Sequence, residues 1–196
     1  MDFRIYHHVN NWARDHAGFV GGLATLENVL VVLIVVAAVA LWLAARPGGS
    51  SRWKLAAASA LASGALAYVV NQVFHAAHDR ARPYEAHPGV WHPDATSTDA
   101  SFPSDHASAA FGIAWAVFLY DRAVGAVFLA IAVALSWLRV VIGFHYPGDV
   151  LAGAGVGLVC ALVVVKLLRP LIAFLVRLVE RATDPLVRPL WRRAPS

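Results

Sequence analysis

Long apolar runs separated by short polar stretches dominate the pattern of this sequence. The apolar runs cover positions 23–45, 55–74, 107–120, 123–138 and 148–168. Most of them approach the roughly 20 residues that a helix needs to cross about 30 Å of hydrocarbon. The third and fourth runs are shorter and need flanking residues to complete a crossing. The pattern predicts an all-α integral membrane protein, a bundle of five transmembrane helices with additional interfacial helices.

The first 22 residues differ from the runs that follow them. Phe3, Ile5, Trp12 and Phe19 are interspersed with charged and histidine residues, which is typical of a helix lying in the membrane interface. The segment lacks the basic start and the short apolar core of a secretion signal. We expect an interfacial segment at 1–22, or a sixth crossing if this segment spans the membrane.

The composition agrees with a membrane protein. Hydrophobic residues make up 59% of the 196 residues and charged residues only 14%, which is too apolar for one small soluble core. We expect a single membrane-embedded domain at 1–196, with a transmembrane core at 23–168 and a basic tail at 169–196. The one cysteine, Cys160, lies inside an apolar run, so we expect a core residue that has no disulfide partner in the chain.

Positive residues are distributed unequally between the two sides of such a bundle. If the five runs alternate in direction, eleven of the 16 Lys and Arg residues fall on the side of the tail, namely Arg46, Arg52, Lys54, Arg122, Lys166, Arg169, Arg177, Arg181, Arg188, Arg192 and Arg193. The other five are Arg4, Arg14, Arg80, Arg82 and Arg139. Because cytoplasmic loops are enriched in Lys and Arg, the tail is predicted to be cytoplasmic and the 77–106 loop extracytoplasmic. The net charge of +4 therefore indicates contact with membrane lipids, and the sequence has no nucleic-acid motif.

Three polar clusters interrupt the apolar pattern on the predicted outer side. They are HAAHDRARPYEAHP at 75–88, FPSDHAS at 102–108 and RVVIGFHYPGD at 139–149. Each cluster begins or ends an apolar run, so all three can meet at one face of the membrane. Ionisable residues at this depth are costly to bury and commonly mark a functional site.

The residue types in these clusters suit an anionic phosphoryl group. Arg82 and Arg139 offer planar guanidinium groups that match the geometry of phosphoryl oxygens. Ser104 follows Pro103 and precedes an apolar run, so it is predicted to be a helix N-cap. The amides of the first turn would then face the same anion. The clusters therefore predict a phosphate-binding site.

His145, Asp149 and His106 are the candidate catalytic residues. Pro147 predicts that a helix begins between His145 and Asp149. Asp149 is then expected to accept a hydrogen bond from one imidazole nitrogen of His145, which leaves the other nitrogen free to attack. His106 is left to protonate the departing oxygen.

Each of these residues also has a purely structural explanation when it is considered alone. An interfacial histidine is usually a solvated side chain, Arg82 could anchor a lipid headgroup, and Asp149 could stabilise a helix start through the helix dipole. Their occurrence together at the ends of predicted spans favours the functional interpretation. A metal site is a less favoured alternative, since the sequence has no HExxH motif or carboxylate cluster.

The three clusters resemble the tripartite signature of the type 2 phosphatidic acid phosphatase superfamily, Lys-x6-Arg-Pro, Pro-Ser-Gly-His and Ser-Arg-x5-His-x3-Asp. The matching stretches are 75–83, 103–106 and 138–149. The resemblance implies a metal-independent phosphatase without a cofactor, in which a histidine attacks phosphorus and water hydrolyses the resulting phosphohistidine. It implies that the catalytic residues are His145, His106 and Asp149. It also implies a phosphate-binding set of His75, Arg82, Ser104, Asp105 and Arg139.

The sequence departs from this signature at three positions. His75 replaces the lysine, Asp105 replaces the glycine, and Leu138 replaces the serine before the arginine. Asp105 together with GFHYPGDVLAG is similar to the bacitracin-resistance-type undecaprenyl-diphosphate phosphatases of bacterial cell-wall synthesis. Arg80 is a candidate to compensate for the missing lysine. Leu138 has no hydroxyl, so one hydrogen bond of the signature is expected to be absent.

The resemblance implies a membrane lipid phosphatase that converts a polyprenyl diphosphate, such as undecaprenyl diphosphate, to the monophosphate. Its partners are expected to be the lipid phosphate substrate and membrane lipids, and its site is expected on the extracytoplasmic side of the inner, cytoplasmic membrane. One alternative is a phosphatase for phosphatidic acid or phosphatidylglycerophosphate, because the signature contacts the phosphate and not the tail. A more distant alternative is a non-catalytic lipid-binding or transport protein.

Overall fold

Helices form all the regular structure in the described part of the chain. The computed structural model describes residues 2–45, 51–92 and 99–191. The elements are α1 (Asp2–Asp15), α2 (Ala17–Ala44), α3 (Arg52–Ala77), α4 (Pro83–Ala86), α5 (Asp105–Tyr120), α6 (Arg122–Val141), α7 (Pro147–Leu162), a π-helical turn (Val163–Leu167) and α8 (Arg169–Trp191). No strand occurs in these three ranges, and the predicted all-α class is confirmed.

Four helices in the described ranges are long and apolar enough to cross a membrane. They are α2, α3, α6, and α7 together with the π-helical turn that continues it. α5 has 16 residues and is shorter than a full crossing requires. The first crossing begins earlier than predicted, because α2 starts at Ala17 and takes in the last residues of the expected interfacial segment.

α5 lies at the centre of the bundle, where it packs against α3, α6 and α7. Its residues Ile113, Ala114 and Val117 join Phe128 and Leu135 of α6 in the main apolar cluster. Lipid tails are as apolar as these side chains, so close packing, more than the hydrophobic effect, holds such helices together.

Glycines of α7 allow α5 to approach closely. A Cβ atom at Gly153 would lie 2.8 Å from the carbonyl oxygen of Ser104, and one at Gly157 would lie 2.6 Å from the carbonyl oxygen of Ser108. Small residues at helix interfaces are a common means of close packing in membranes. In this protein they hold the start of α5 against α7.

The helix boundaries bring the three polar clusters to one end of the bundle. Ser104 is the N-cap of α5, and its hydroxyl accepts a hydrogen bond from the Ala107 amide at 3.4 Å, as predicted. α7 begins at Pro147, which also agrees with the prediction. α3 and α6 end where α5 and α7 begin.

α1 is packed more deeply than an interfacial helix was expected to be. Tyr6, Asn10 and Ala13 are buried. The Asn10 side chain donates to the Trp91 carbonyl at 2.6 Å and accepts from the Trp91 amide at 2.9 Å. The Tyr6 hydroxyl donates to the carbonyl of Gly143, whose φ of 96° lies in the left-handed region that favours glycine. α1 therefore contacts and stabilises the turn that follows α6.

α8 contains most of the predicted basic tail and is tied to the start of α3. The Lys54 ammonium lies 2.6 Å from Asp184 Oδ1 and 3.2 Å from Glu180 Oε1. Lys54 is 2% exposed, so this contact is internal. Three members of the predicted charge asymmetry lie outside the described residues: Arg46, Arg192 and Arg193.

Candidate active site

The three polar clusters touch one another at this end of the bundle. The Ser104 amide donates to the Asp149 carbonyl at 3.1 Å, which joins the second cluster to the third. Arg82 Nη1 lies 3.3 Å from His145 Nε2, which joins the first cluster to the third. The expected convergence of the clusters is therefore observed.

His145 is held in one tautomer by its surroundings. The side chain is 2% exposed, and Nδ1 lies 3.0 Å from the carbonyl oxygen of Ser101. A carbonyl can only accept, so the neutral ring carries its proton on Nδ1 and keeps a lone pair on Nε2. Arg82 Nη1 points toward this lone pair at 3.3 Å. Nε2 is therefore the ring nitrogen whose lone pair carries no proton.

Burial lowers the pKa of His145 to about 4. The loss of hydration is the largest cause, because it disfavours the charged imidazolium. The Asp149 carboxylate acts in the opposite direction, while the positive charges of Arg139 and Arg82 lower the pKa further. His145 is therefore neutral at physiological pH, and its Nε2 lone pair is available.

Asp149 does not make the direct hydrogen bond to His145 that the spacing predicted. Its Oδ2 lies 3.7 Å from His145 Nδ1. The carboxylate accepts instead from the Ser101 hydroxyl at 2.6 Å, the Tyr146 amide at 2.9 Å and Arg80 Nη1 at 2.6 Å. A backbone carbonyl takes the place next to the imidazole, so Asp149 acts on His145 through Ser101 and the first turn of α7.

Backbone carbonyls and a ring orient the two predicted arginines. Arg82 Nε donates to the Asp99 carbonyl at 2.9 Å, and Arg82 Nη1 lies 3.3 Å from the Phe144 carbonyl oxygen. The Arg139 guanidinium lies 4.4 Å from the centre of the Phe144 ring, as in a cation–π contact. Both side chains are more than nine-tenths buried. Their positive charges therefore act in a setting with little water.

His106 lies in the first turn of α5, beside a residue that the motifs did not reveal. Its Nε2 is 4.0 Å from Glu27 Oε1, and the same oxygen is 3.5 Å from Arg139 Nη1. Glu27 comes from α2, outside the three clusters. The available signal was its position as the one charged residue of the apolar run 23–45.

His75 and Asp105 contact each other and the turn that precedes α5. His75 Nε2 lies 3.0 Å from the Pro103 carbonyl oxygen and 3.8 Å from Asp105 Oδ1. Asp105 Oδ1 accepts a hydrogen bond from Nδ2 of the Asn71 side chain at 2.8 Å. An ionised carboxylate cannot donate to phosphoryl oxygens. These contacts connect α3 to the start of α5, next to Ser104.

Arg80 is paired with two carboxylates. Its Nη1 lies 2.6 Å from Asp149 Oδ1, and its Nη2 lies 2.8 Å from Asp2 Oδ2. Asp2 also accepts from the Gly148 amide at 2.8 Å. Arg80 thus joins α1 to the start of α7. Sequence spacing gave no signal for this pairing, because Asp2 and Asp149 are 78 and 69 residues away from Arg80.

Two guanidinium groups bring positive charge to the site. In the part of the chain that the structure describes, no three His, Cys, Asp or Glu side chains are placed to share a metal ion. Arg82 and Arg139 instead provide two guanidinium groups near His145.

Comparison with known proteins agrees with this fold. The PAP2 superfamily matches residues 56–172, which is more than half of the chain and includes all three clusters. The chain belongs to the PAP2 superfamily. The predicted family is therefore confirmed, and the apolar helices agree with a membrane-embedded member of it.

Two relatives are similar in sequence. Undecaprenyl-diphosphatase BcrC of Bacillus subtilis (strain 168) is 24% identical over 191 residues, which cover 96% of each chain. Bacitracin transport permease protein BcrC of Bacillus licheniformis is 34% identical over 99 residues, covering 50% of this chain and 49% of that one. This PAP2 chain therefore matches about half the length of the second relative and nearly all of the first.

One solved structure has the same arrangement of helices. LpxE of Aquifex aeolicus superposes with a TM-score of 0.64 and 22% identity, covering 84% of this chain and 94% of that one. At this identity the likeness shows the fold alone. It agrees with a helical PAP2 membrane fold.

Proposed function

We propose that this PAP2 phosphatase removes the terminal phosphate of a polyprenyl diphosphate, such as undecaprenyl diphosphate, and releases the polyprenyl monophosphate. The observation that carries the proposal is the state of His145. The Ser101 carbonyl holds its Nδ1 proton, and Nε2 lies 3.3 Å from Arg82 Nη1. A neutral imidazole nitrogen beside a guanidinium is suited to attack a phosphoryl group that the guanidinium binds.

In the first proposed step, His145 Nε2 attacks the terminal phosphorus. A P–N bond forms while the bond from phosphorus to the bridging oxygen breaks, and the polyprenyl phosphate departs with that oxygen. His106 donates a proton to the departing oxygen. Arg82 and Arg139 balance the charge on the phosphoryl oxygens, and the amides at the start of α5, after Ser104, add donors.

In the second proposed step, water hydrolyses the phosphohistidine. The water oxygen bonds to phosphorus, the P–N bond to His145 breaks, and inorganic phosphate leaves. His106, which lost its proton in the first step, accepts a proton from the water. Asp149 keeps His145 oriented through Ser101, while His75 and Asp105 support the turn that places the α5 amides.

The proposed reaction needs no divalent ion. Two buried guanidinium groups and the amides of a helix start provide the positive field that a metal ion would otherwise supply. This part of the proposal is supported by the burial of Arg82 and Arg139 around His145.

The choice of a polyprenyl diphosphate is supported by the relative named undecaprenyl-diphosphatase, which aligns along 96% of this chain. The arginines and helix-start amides recognise a terminal phosphoryl group and do not select a tail. Phosphatidic acid and phosphatidylglycerophosphate are therefore the competing substrates that an assay must compare.

We also propose an orientation in the membrane. α5 completes a fifth crossing with flanking residues, the active site faces the extracytoplasmic side, and the tail with α8 lies in the cytoplasm. The unequal distribution of Lys and Arg supports this orientation.

The test is phosphate release in detergent micelles from undecaprenyl diphosphate, phosphatidic acid and phosphatidylglycerophosphate. The wild type is expected to prefer the diphosphate, to retain its rate in EDTA and to be inhibited by orthovanadate. His145→Ala is expected to lose essentially all activity and the acid-labile phosphoenzyme, while His8→Ala, an exposed histidine of α1, is the control. Activity of His145→Ala within about tenfold of the wild type would refute the nucleophile, since such residues contribute far more.

Other results would replace parts of the proposal. Loss of activity in EDTA that a divalent ion restores would contradict metal independence. A preference for phosphatidic acid or phosphatidylglycerophosphate would change the substrate. Binding of the lipids without any phosphate release would favour a lipid-binding or transport protein.

A further inference from the structure

Glu27 is a buried carboxylate in a helix that has no other charged residue. The sequence of α2, from Ala17 to Ala44, contains no other Asp, Glu, Lys or Arg. The buried residues of this helix are Val20, Glu27, Ile34 and Ala38. Because positions seven apart lie on nearly the same face of a helix, this stripe faces the bundle. The sequence therefore directs the one charge of α2 toward the site.

The Glu27 carboxylate lies beside two groups of the proposed site. Its Oε1 is 3.5 Å from Arg139 Nη1 and 4.0 Å from His106 Nε2. Glu27 is 4% exposed and Arg139 is 8% exposed. Opposite charges at such distances interact more strongly where water is largely excluded. Arg139 therefore holds the carboxylate next to His106.

This ion pair has unused hydrogen-bonding capacity. Among the described residues, Glu27 Oε1 and Arg139 Nε are buried and have no hydrogen-bond partner. Buried polar atoms without a partner are rare, and a catalytic role is one of the recognised reasons to retain them. A carboxylate inside an apolar helix is also a functional-site hypothesis by default.

The groups that act on His106 from the other elements are positive or basic. Burial is the largest influence that disfavours the protonated form of His106, and Arg139 from α6, His145 from the loop before α7 and Arg82 from the segment before α4 add to it. Cations near an imidazole disfavour its protonated form, and a carboxylate favours it. Glu27 from α2 supplies that opposing charge.

We propose that Glu27 is a positioning residue that orients His106 and favours its proton-donating form, against the effects of burial and of the neighbouring cations, for proton donation to the departing oxygen. The proposal rests on the phosphatase function and on His106 as its general acid. No proton moves to or from Glu27, which acts through its charge. Glu27 precedes residues 56–172, the part of the chain that matches the PAP2 superfamily. The proposed role therefore belongs to a helix outside the matched region.

The first test is the pH dependence of kcat/KM for farnesyl diphosphate in detergent. Glu27→Gln removes the charge at nearly constant volume. We expect its alkaline limb to move to lower pH by about one unit, because His106 loses the carboxylate that favours its protonated form. We expect kcat/KM to fall by about tenfold or more at the wild-type optimum. Glu27→Asp, which keeps the charge but is one methylene shorter, is expected to have an intermediate profile.

Asp79→Asn is the matched control. It removes one carboxylate from the exposed segment after α3, at the same end of the bundle. Its profile is expected to overlay that of the wild type. Extraction yield and thermal unfolding in detergent verify that each variant folds.

The second test is a double-mutant cycle with His106→Ala. The leaving group of a diphosphate is a weakly basic phosphate, so this background is expected to retain measurable turnover. If Glu27 acts through His106, Glu27→Gln reduces kcat/KM at least about threefold less in the His106→Ala background than in the wild type. A merely structural residue would reduce both backgrounds by the same factor.

The outcomes separate this inference from the proposed function. A wild type that releases no phosphate from any lipid would overturn the phosphatase function and this role of Glu27 with it. An active wild type with an unshifted alkaline limb in Glu27→Gln, and equal losses in both backgrounds, would overturn the role of Glu27 alone. If Glu27→Gln does not fold, the same two criteria apply to Glu27→Asp.

Discussion

The Ser101 hydroxyl donates to Asp149 Oδ2 at 2.6 Å. The carbonyl of the same residue accepts from His145 Nδ1 at 3.0 Å. One residue therefore fixes both the buried carboxylate and the tautomer of the imidazole. The carboxylate controls the position of the Ser101 backbone, and that backbone determines which ring nitrogen carries a lone pair.

Replacement of Ser101 by alanine is expected to lower both stability and turnover. The change removes one hydrogen bond to a charged group, which contributes about 1.5–3 kcal/mol. We expect kcat to fall about tenfold with little change in KM, since His145 is less well oriented while phosphate binding is intact. The measurements are thermal unfolding in detergent and steady-state kinetics. Thr183→Ala, which removes a local hydroxyl of α8, is the control. Unchanged kcat in Ser101→Ala would show that the carbonyl alone orients His145.

Activity is expected to persist well below the ordinary pKa of histidine. His145 must be neutral to attack, and burial lowers its pKa to about 4. The acid limb of kcat/KM should therefore lie near pH 4 and not near the ordinary value of about 6.5. An acid limb near 6.5 would contradict the neutral, buried nucleophile.

The same pKa predicts how stability depends on pH. Between pH 4 and about 6.5 the unfolded chain binds more protons at His145 than the folded chain does. The free energy of unfolding therefore rises with pH through this window. The contribution from His145 is fully present above about pH 6.5 and is lost as the pH falls toward 4. Chemical unfolding of the wild type and of His145→Ala at several pH values measures how His145 contributes to the free energy of unfolding. The two proteins should differ in slope within this window, and identical slopes would refute the prediction.

Gly153→Ala is expected to damage the site through packing. Its Cβ would lie 2.8 Å from the Ser104 carbonyl oxygen, so the start of α5 must move away from α7. Such overpacking typically costs about 1–3 kcal/mol. It would also disturb the hydrogen bond that the Ser104 backbone N–H donates to the Asp149 carbonyl oxygen. Gly155→Ala is the matched control, because a Cβ there meets no atom within 4 Å. Equal unfolding temperatures and activities for the two variants would contradict this account.

Labelling in intact cells is expected to place the active site outside. In a chain with Cys160→Ala, a cysteine at Ala86 should react with an impermeant maleimide, because the 77–106 loop is predicted to be extracytoplasmic. A cysteine at Ala182 in α8 should react only after lysis. Both positions are exposed in the structure. Reaction at Ala182 in intact cells, with Ala86 protected, would invert the orientation.

Sequence reasoning located the helices and the three clusters because their signals are local. Apolar runs, the proline of α7 and the Ser104 cap each depend on a few neighbouring residues. The length of α5 also followed from its run, which was short for a crossing. The grouping of the clusters followed from their positions at the ends of these runs, and the family signature added His75 and Asp105 to the set.

The pairing of charges could not be predicted in the same way. Several donors compete for one carboxylate, and the backbone decides which of them is nearest. Asp149 binds Ser101 and Arg80, although His145 stands at a matching spacing. Glu27 was missed because its partners come from other helices. Such choices depend on three-dimensional packing that a single sequence does not encode in any motif.

Lys54 makes the end of the chain difficult to shorten. Its buried ammonium is neutralised by Glu180 and Asp184, both of which belong to α8. Truncation before residue 180 would leave a cation inside the protein without either carboxylate, a defect that typically costs about 3–5 kcal/mol. The basic tail is thus also a source of internal counter-ions, and trimmed versions made for crystallisation should keep it through Asp184.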